Sequence, residues 1–337
     1  MWQKTLITSL IVLLTCSFGF RNYLQQVQLA PLAFTSEYLD VKAGTSLSTL
    51  CQDWQNQQLL TSGQCWRLKA YSVLNPQIRQ IKAGVYAIKP MSVQQTIQLL
   101  RSGKVAQFSL RLQEGKTLAE NLQALQAAQF LEHDIKSAEA AMALLSWPEA
   151  WGPKPVNAEG LFFPETYNYT AHEKLSTVLK RSHKQLIERV EKAWATKQAA
   201  LPLKSPYELL ILASIIEKES GYIPEKPLIS SVFINRLHKN MRLQTDPTVI
   251  YGLGDRYQGD ITRAFLQDPH PYNTYVHNGL PPGPISSVSQ SSISAAAQPQ
   301  ASDKLYFVAS GGGKHVFSST LDEHNKNVRI YILGKKS

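Results

Sequence analysis

Glu217 and Glu219 close an apolar stretch running from Leu209 to Ile216, and a carboxyl group at the end of a greasy helix can serve as a proton donor. Ser205-Pro206-Tyr207-Glu208 reads as the helix start, with a serine N-cap, proline at the first helical position and glutamate three residues after the cap. Gly221 is the expected stop. At 100° per residue, Glu219 lies one turn beyond Ile215 and Ile216 and two beyond Leu212, so it sits over the apolar stripe. Glu217 follows Ala213 and Ser214, a smaller face that reads as wetter. Apolar surroundings resist ionisation of a carboxylic acid, and the negative end of the helix dipole works in the same direction. Glu219 is therefore expected to stay protonated near neutral pH, as a general acid must. The competing reading is a solvated helix end at Glu217-Lys218-Glu219.

The chain beyond this helix is rich in groups that suit a hydroxylated ligand. Ser231 to Leu237 reads as a second helix, and Met241 to Gly252, Tyr272 to Tyr275 and Asn278 to Ile285 read as long coil of Asn, Gln, Thr, Tyr, Gly and Pro. Long loops inside a compact domain are usually functional, because amide and hydroxyl groups match sugar hydroxyls and proline stiffens their placement. The candidate ligand contacts are Glu217, Asn235, Arg236, Gln244, Thr245, Asp246, Thr248, Tyr272, Asn273 and Thr274. Asp246 opens a second chemistry, since a carboxylate near Glu219 could activate water or act as nucleophile in a two-carboxylate hydrolase. Thr245-Asp246-Pro247-Thr248 also reads as a turn whose aspartate bonds backbone amides, and that structural role is preferred. No metal is expected. The eight histidines show neither paired helical spacing nor a His-Glu-x-x-His pattern. Gly311-Gly312-Gly313 lacks the lysine-serine ending of a phosphate loop and reads as a hairpin tip.

The elements that must position this chemistry begin with a local pattern repeated three times. Val41 to Leu47, Ile88 to Val93 and Leu112 to Leu118 each read as strand, turn and helix start, with Ser46, Ser92 and Thr117 as N-caps. Gln95 and Glu120, three residues after their caps, complete two capping boxes. The first unit, with Ile81 to Tyr86, resembles a LysM-type module, a fold associated with binding N-acetylglucosamine polymers; ordinary turn chemistry is the plainer reading. From about Leu131 to Ala200 the chain reads as helical and polar, interrupted by Trp147-Pro148 and a loop over residues 153–164. Glu159 to Tyr169 is dense in aromatics, which suits either a packed core or a platform for sugar faces.

With 337 residues, 43% hydrophobic and 18% charged, the chain can bury a core and divide into two or three domains, which excludes disordered and fibrous classes. The net charge of +10 suits anionic surroundings, but no nucleic-acid motif accompanies it and no nucleic-acid partner is expected. Thr5 to Phe20 is an uncharged, mostly apolar run between Lys4 and Arg21. As a helix it spans about 24 Å against a hydrocarbon core of about 30 Å, a gap that snorkelling by the two flanking bases can close. One anchor helix is expected, with everything after Arg21 outside; a cleaved signal peptide is the rival, though no small-x-small site stands clearly behind the run. Cys51 and Cys65 remain as a pair, either a disulfide or two buried thiols.

Ala213 to Glu219, Val232 to Leu237, Arg242 to Gly252, Tyr272 to Tyr275 and Gly279 to Gly283 together resemble the endolytic murein transglycosylases, the YceG-like family. The resemblance runs in order from near Val41 to near Asn325, with departures at Leu161 to Phe163 and Ser220 to Lys226. It implies a single-carboxyl lytic transglycosylase with Glu219 as catalytic acid and base, no metal and no cofactor. It further implies peptidoglycan glycan strands as substrate, attachment to the inner membrane through residues 5–21, a catalytic domain in the periplasm, and peptidoglycan synthases as partners. The expected fold class is α+β: a single N-terminal transmembrane helix (1–22), a small LysM-like α+β module (34–105), a connecting α+β or helical region (106–204) and an α+β catalytic domain (205–337). A wall-binding scaffold without catalysis is the reading outside the enzymes.

Overall fold

An unbroken helix, α1 (Trp2–Gln25), carries the N-terminal apolar run in the computed structural model, and its side chains from Leu6 to Phe20 face outward. The structure describes residues 2–334; Met1 of the expected anchor, the side chain of Lys4 and residues 335–337 of the expected last domain lie outside the described residues. Among the described residues, one helix is long and apolar enough to cross a membrane, 25 residues from Thr5 to Leu29. The chain divides into two compact units, residues 1–108 with 170–172, and residues 109–169 with 173–337.

The first unit alternates short strands with amphipathic helices: β1 (Pro31–Leu32), β2 (Tyr38–Val41), α2 (Leu47–Asn56), α3 (Ser62–Leu74), β3 (Gly84–Ala87), β4 (Met91–Ser92) and α4 (Val93–Ser102). β2 runs antiparallel to β3, with Tyr38 opposite Ala87 and Val41 opposite Gly84, and β1 pairs antiparallel with β4. The hydroxyl caps explain where the helices begin. Ser46 accepts from the amide of Thr49, and Ser92 and Gln95 form the expected reciprocal box. One core joins Trp54, Leu68, Tyr86 and Leu100 to Leu24 and Val27 at the end of the N-terminal helix. Cys51 and Cys65 lie in it as free thiols, each with its sulfur directed at the other's carbonyl oxygen. Burial and the Cys65 thiol push Cys51 up to about 12, so it is an inert apolar group.

β5 (Gln107–Arg111) leads into the second unit, where α5 (Leu118–Leu125) and the short α6 (Ala138–Ala141) follow, then β6 (Thr166–Thr170), which pairs with β5. The long α7 (Leu175–Ala195) and α8 (Pro206–Glu219) come next, then α9 (Lys226–His238), α10 (Asp246–Leu253), α11 (Arg263–Leu266) and α12 (Gln290–Ala297). A hairpin of β7 (Tyr306–Gly311) and β8 (Lys314–Ser318) and a final helix, α13 (Leu321–Tyr331), complete the unit. Every residue of α8 from Leu209 to Ile216 is buried, because α7, α9 and α12 pack around it. A helix greasy on all sides must be central. Residues 109–169 and 173–204 lie in the same compact unit as 205–337: Ser287 donates its amide to Lys116 O at 2.9 Å, and Asn121 Nδ2 donates to Ser287 Oγ at 3.3 Å.

Three expectations are corrected. The coil expected after Met241 contains helices, because Pro247 can open α10 and Val249 and Leu253 give it a buried side. Helix α8 stops by breaking into extended backbone at Ser220, and no left-handed glycine ends it. The face beneath Glu217 is dry: Ser214 is fully buried, with its hydroxyl donating to Ile211 O at 2.7 Å and accepting the amide of Ile285 at 3.0 Å. A small polar side chain on a core helix here marks a docking point for another segment rather than contact with water.

Candidate active site

Glu219 is the last helical residue of α8 and lines a cleft of about 350 Å³. Arg236 of α9, Leu243, Gln244, Thr245 and Asp246 at the entry to α10, Tyr275, Tyr306 and Phe307 of β7, and Leu321 and His324 of α13 complete the walls. The Glu219 carboxyl accepts a hydrogen bond from the Thr245 hydroxyl. Burial pushes its pKa up to about 7 and the neighbouring Asp246 charge adds to this, while the Thr245 hydroxyl and the Arg236 guanidinium pull the other way. The group is thus poised to change protonation near neutrality.

Three threonines hold this arrangement from behind. Thr245 donates its amide to Thr274 Oγ1 at 3.1 Å, Gln244 donates its amide to Thr274 O at 3.1 Å, and Thr248 Oγ1 lies 2.8 Å from Thr274 Oγ1. Thr248 also donates to Thr245 O at 2.7 Å. Thr248 and Thr274 are buried and stay out of the cleft, so their hydroxyls fix the backbone that carries Thr245. Gln244 sits at φ +49°, a left-handed conformation that costs a residue with a Cβ and persists here because its neighbours on both strands of the loop are bonded. Asp246 accepts the Tyr275 hydroxyl at 2.6 Å, a bond the turn reading did not anticipate.

Arg236 and Asn235 build the opposite wall. Asn235 Nδ2 donates to Ser302 O and Lys304 O, both at 2.9 Å, and Arg236 donates from Nε to Leu305 O at 2.7 Å and from Nη1 to Leu243 O at 2.8 Å. The guanidinium also lies 5.0 Å from the centre of the Tyr306 ring. These bonds bring the start of β7 to the cleft, so Asn235 acts on the backbone and Arg236 alone of the two lines the cavity.

The remaining candidates lie elsewhere. Glu217 faces the core, where it accepts from Ser289 N at 3.0 Å, Ser289 Oγ at 2.5 Å and Ser292 Oγ at 2.6 Å and pairs with Lys226 at 3.2 Å. Burial alone would raise its pKa, but these hydroxyls, the lysine and the amide together hold it below its ordinary value. Asn273 is a turn keystone, with Nδ2 donating to Asp268 O at 2.8 Å and Oδ1 accepting the Tyr275 amide at 2.9 Å. Tyr272 packs against Tyr251 with ring centres 4.8 Å apart and does not reach the cleft. Glu159, in the aromatic segment, accepts the amides of Leu118 at 2.9 Å and Gly160 at 3.1 Å, and burial pushes it to about 7. Among the described residues no group of three His, Cys, Asp or Glu gathers to hold a metal.

Sequence reasoning missed part of the wall. Tyr275 stood within a segment already singled out, while Tyr306 and Phe307, just before the Gly311 to Gly313 tip, carried rings that were a usable signal. His324 gave none: it stacks on Tyr306 with ring centres 5.2 Å apart, and burial followed by the Arg236 charge lowers its pKa.

Comparison with known proteins places this architecture. The model of the YceG-like family matches residues 39–330. The endolytic murein transglycosylase of Bacillus subtilis (strain 168) is 32% identical over 323 residues, covering 89% of this chain and 86% of that protein. The endolytic murein transglycosylase of Streptococcus pneumoniae serotype 2 is 28% identical over 287 residues, 76% of this chain and 51% of that protein, so the chain spans about half the length of this relative. The crystal structure of a YceG-like protein from Listeria monocytogenes is 32% identical, covers 86% of this chain and 98% of its own, and superposes with a TM-score of 0.53. With the family model spanning most of its length, the chain belongs to the YceG-like family.

Proposed function

We propose that this chain is an endolytic peptidoglycan transglycosylase in which Glu219 is the catalytic acid and base. The observation that carries the reading is a carboxyl lining a polar cleft, with Thr245 donating to it and burial pushing its pKa up to about 7. The protonated carboxyl gives its proton to the oxygen linking N-acetylmuramic acid to N-acetylglucosamine. As carboxylate it then takes the proton of the muramoyl 6-hydroxyl, whose oxygen bonds to C1. The C1–O bond to N-acetylglucosamine breaks, a 1,6-anhydro end forms, and Glu219 is protonated again. Because the sugar supplies the nucleophile, neither metal nor second carboxylate is needed, unlike the usual glycosidase pair. Asp246, engaged by Tyr275, raises the Glu219 pKa instead of attacking carbon.

Around this centre, Gln244, Thr245, Arg236 and the rings of Tyr275, Tyr306 and Phe307 form the sugar-binding wall, with Thr248, Asn235, Asn273 and Thr274 positioning it. Residues 34–105 act as a LysM-like wall-binding module; the antiparallel β2 and β3 with α2 and α3 between them in sequence support that role. Residues 106–204 connect it to the catalytic residues 205–337, and residues 1–22 anchor the chain in the inner membrane with the enzyme body in the periplasm. From there it trims strands as peptidoglycan synthases release them.

Mass spectrometry of fragments released from purified sacculi tests the chemistry. Wild type should give anhydro ends, and Glu219→Gln should lower release by about 10²-fold or more. Reducing ends would favour a hydrolase using Glu219 and Asp246. No release by the wild-type chain would favour a non-catalytic scaffold, and digestion unchanged in Glu219→Gln would remove Glu219 from the chemistry.

A further inference from the structure

The N-terminal helix is not the chain's whole apolar exposure in the first unit. On α3, Trp66, Val73 and Leu74 fall at spacings of seven and one, which puts them on one side of the helix, and they are 56%, 65% and 55% exposed. The opposite side of α3 is in the core through Cys65, Leu68 and Tyr71. This stripe lies beside the anchor. Leu24 and Val27 enter the same core as Leu68, and the Arg67 guanidinium lies 5.0 Å from the centre of the Tyr23 ring, two residues past Arg21. The 24 residues of α1 run about 36 Å, so if its Trp2 end lies at one face of a bilayer, Tyr23 lies at the other.

We propose that the exposed stripe of α3 rests in the headgroup layer of the membrane that α1 crosses, on the side of the enzyme body. The inference rests on the anchor reading and adds a second, interfacial attachment to it. The chemistry fits that one occupant. Trp66, Tyr23, Arg67, Lys69 and Arg21 form the mixture of amphipathic rings and bases that settles where hydrocarbon meets phosphate, and α3 carries no acid to repel anionic lipid. The outward apolar surface of α1 reaches Phe20 and Tyr23, and Tyr23 meets Arg67 of α3. With Leu24 and Val27 packed in the core, the two attachments together fix the tilt of the first unit on the bilayer.

The test uses the full chain in vesicles of phosphatidylethanolamine and phosphatidylglycerol that carry a nitroxide quencher either just below the headgroups or deep in the acyl region. Trp2 and Trp66 are the exposed tryptophans of the first unit, one at each headgroup layer in this arrangement, so Trp66→Phe should remove roughly half of the shallow quenching and little of the deep. Alkaline carbonate washing is run in parallel. If the chain stays with the vesicles and Trp66→Phe leaves shallow quenching unchanged, the inference fails and the anchor survives. If carbonate releases the wild-type chain, the anchor reading fails and the inference falls with it.

Discussion

Replacing Glu219 by glutamine should make the protein more stable, and increasingly so as the pH rises. In the folded chain the Glu219 carboxyl is pushed by burial to about 7, against an ordinary 4.5. Between those values the folded state holds a proton that the unfolded chain has already lost. Stability from this source is therefore fully present below pH 4.5 and is lost as the pH rises through 7. The difference between about 7 and 4.5, at 1.36 kcal/mol per pH unit, comes to about 3 kcal/mol, an upper value because the residue keeps part of its surface on an open cleft. Glutamine has nearly the same shape, can still accept the Thr245 hydroxyl and has no proton to lose. Thermal unfolding of wild type and Glu219→Gln at fixed ionic strength from pH 4.5 to 8.5 measures the gap. It should be small at the acid end and open by several degrees at the alkaline end, at roughly 2–4 °C per kcal/mol for a domain of 150–250 residues. A gap that stays constant with pH, or closes as pH rises, would refute the claim that this carboxyl is kept neutral by its surroundings.

The same electrostatics gives opposite signs for two neighbours of Glu219. Thr245→Val removes the donor that favours the carboxylate, so the alkaline fall in glycan cleavage should move up by about one pH unit, the equivalent of one hydrogen bond. Asp246→Asn removes a like charge, so the fall should move to lower pH; pH profiles of kcat/KM on isolated glycan strands read both shifts. Lys226→Met strands the Glu217 charge in the core and should cost about 3–5 kcal/mol in denaturant unfolding, with Glu217→Gln in the same chain recovering much of it. Glu159→Ala leaves the amides of Leu118 and Gly160 without their carboxylate and should cost about 2–4 kcal/mol, while activity well below the melting temperature is retained.

The features legible in the sequence were local. The helix starts at Ser46, Ser92, Thr117 and Ser205 arise from a hydroxyl or a proline within a few residues of the first turn, and each is present. The hairpin about Gly311 to Gly313 arises from its glycines in the same way. The features that escaped depend on contacts distant in the chain. Within the second unit, Lys116 and Asn121 bond to Ser287, pairs about 170 residues apart that no periodicity announces. Thr248, Asn273 and Thr274 read as ligand contacts because their side chains are polar, and the same polarity serves as well to hold backbone in place. Only packing decides which use a hydroxyl has.

Glu217 and Glu219 sharpen that point, since they stand two residues apart on one helix end and both leave water. Helix position alone treats them alike: each sits at the negative end of the dipole, and each meets the desolvation that raises a carboxyl. Their fates separate because of how many donors reach them. Glu217 gathers two serine hydroxyls, an amide and a lysine, enough to keep it charged in the core, where it ties α8 to α12. Glu219 meets one threonine hydroxyl and a guanidinium already committed to Leu305, Leu243 and Arg242, beside a second negative charge. A carboxylate satisfied by four donors has no reason to take a proton, and one supplied this sparsely does. That shortage of donors, rather than apolar neighbours alone, is what leaves Glu219 able to give up a proton and take it back near neutral pH.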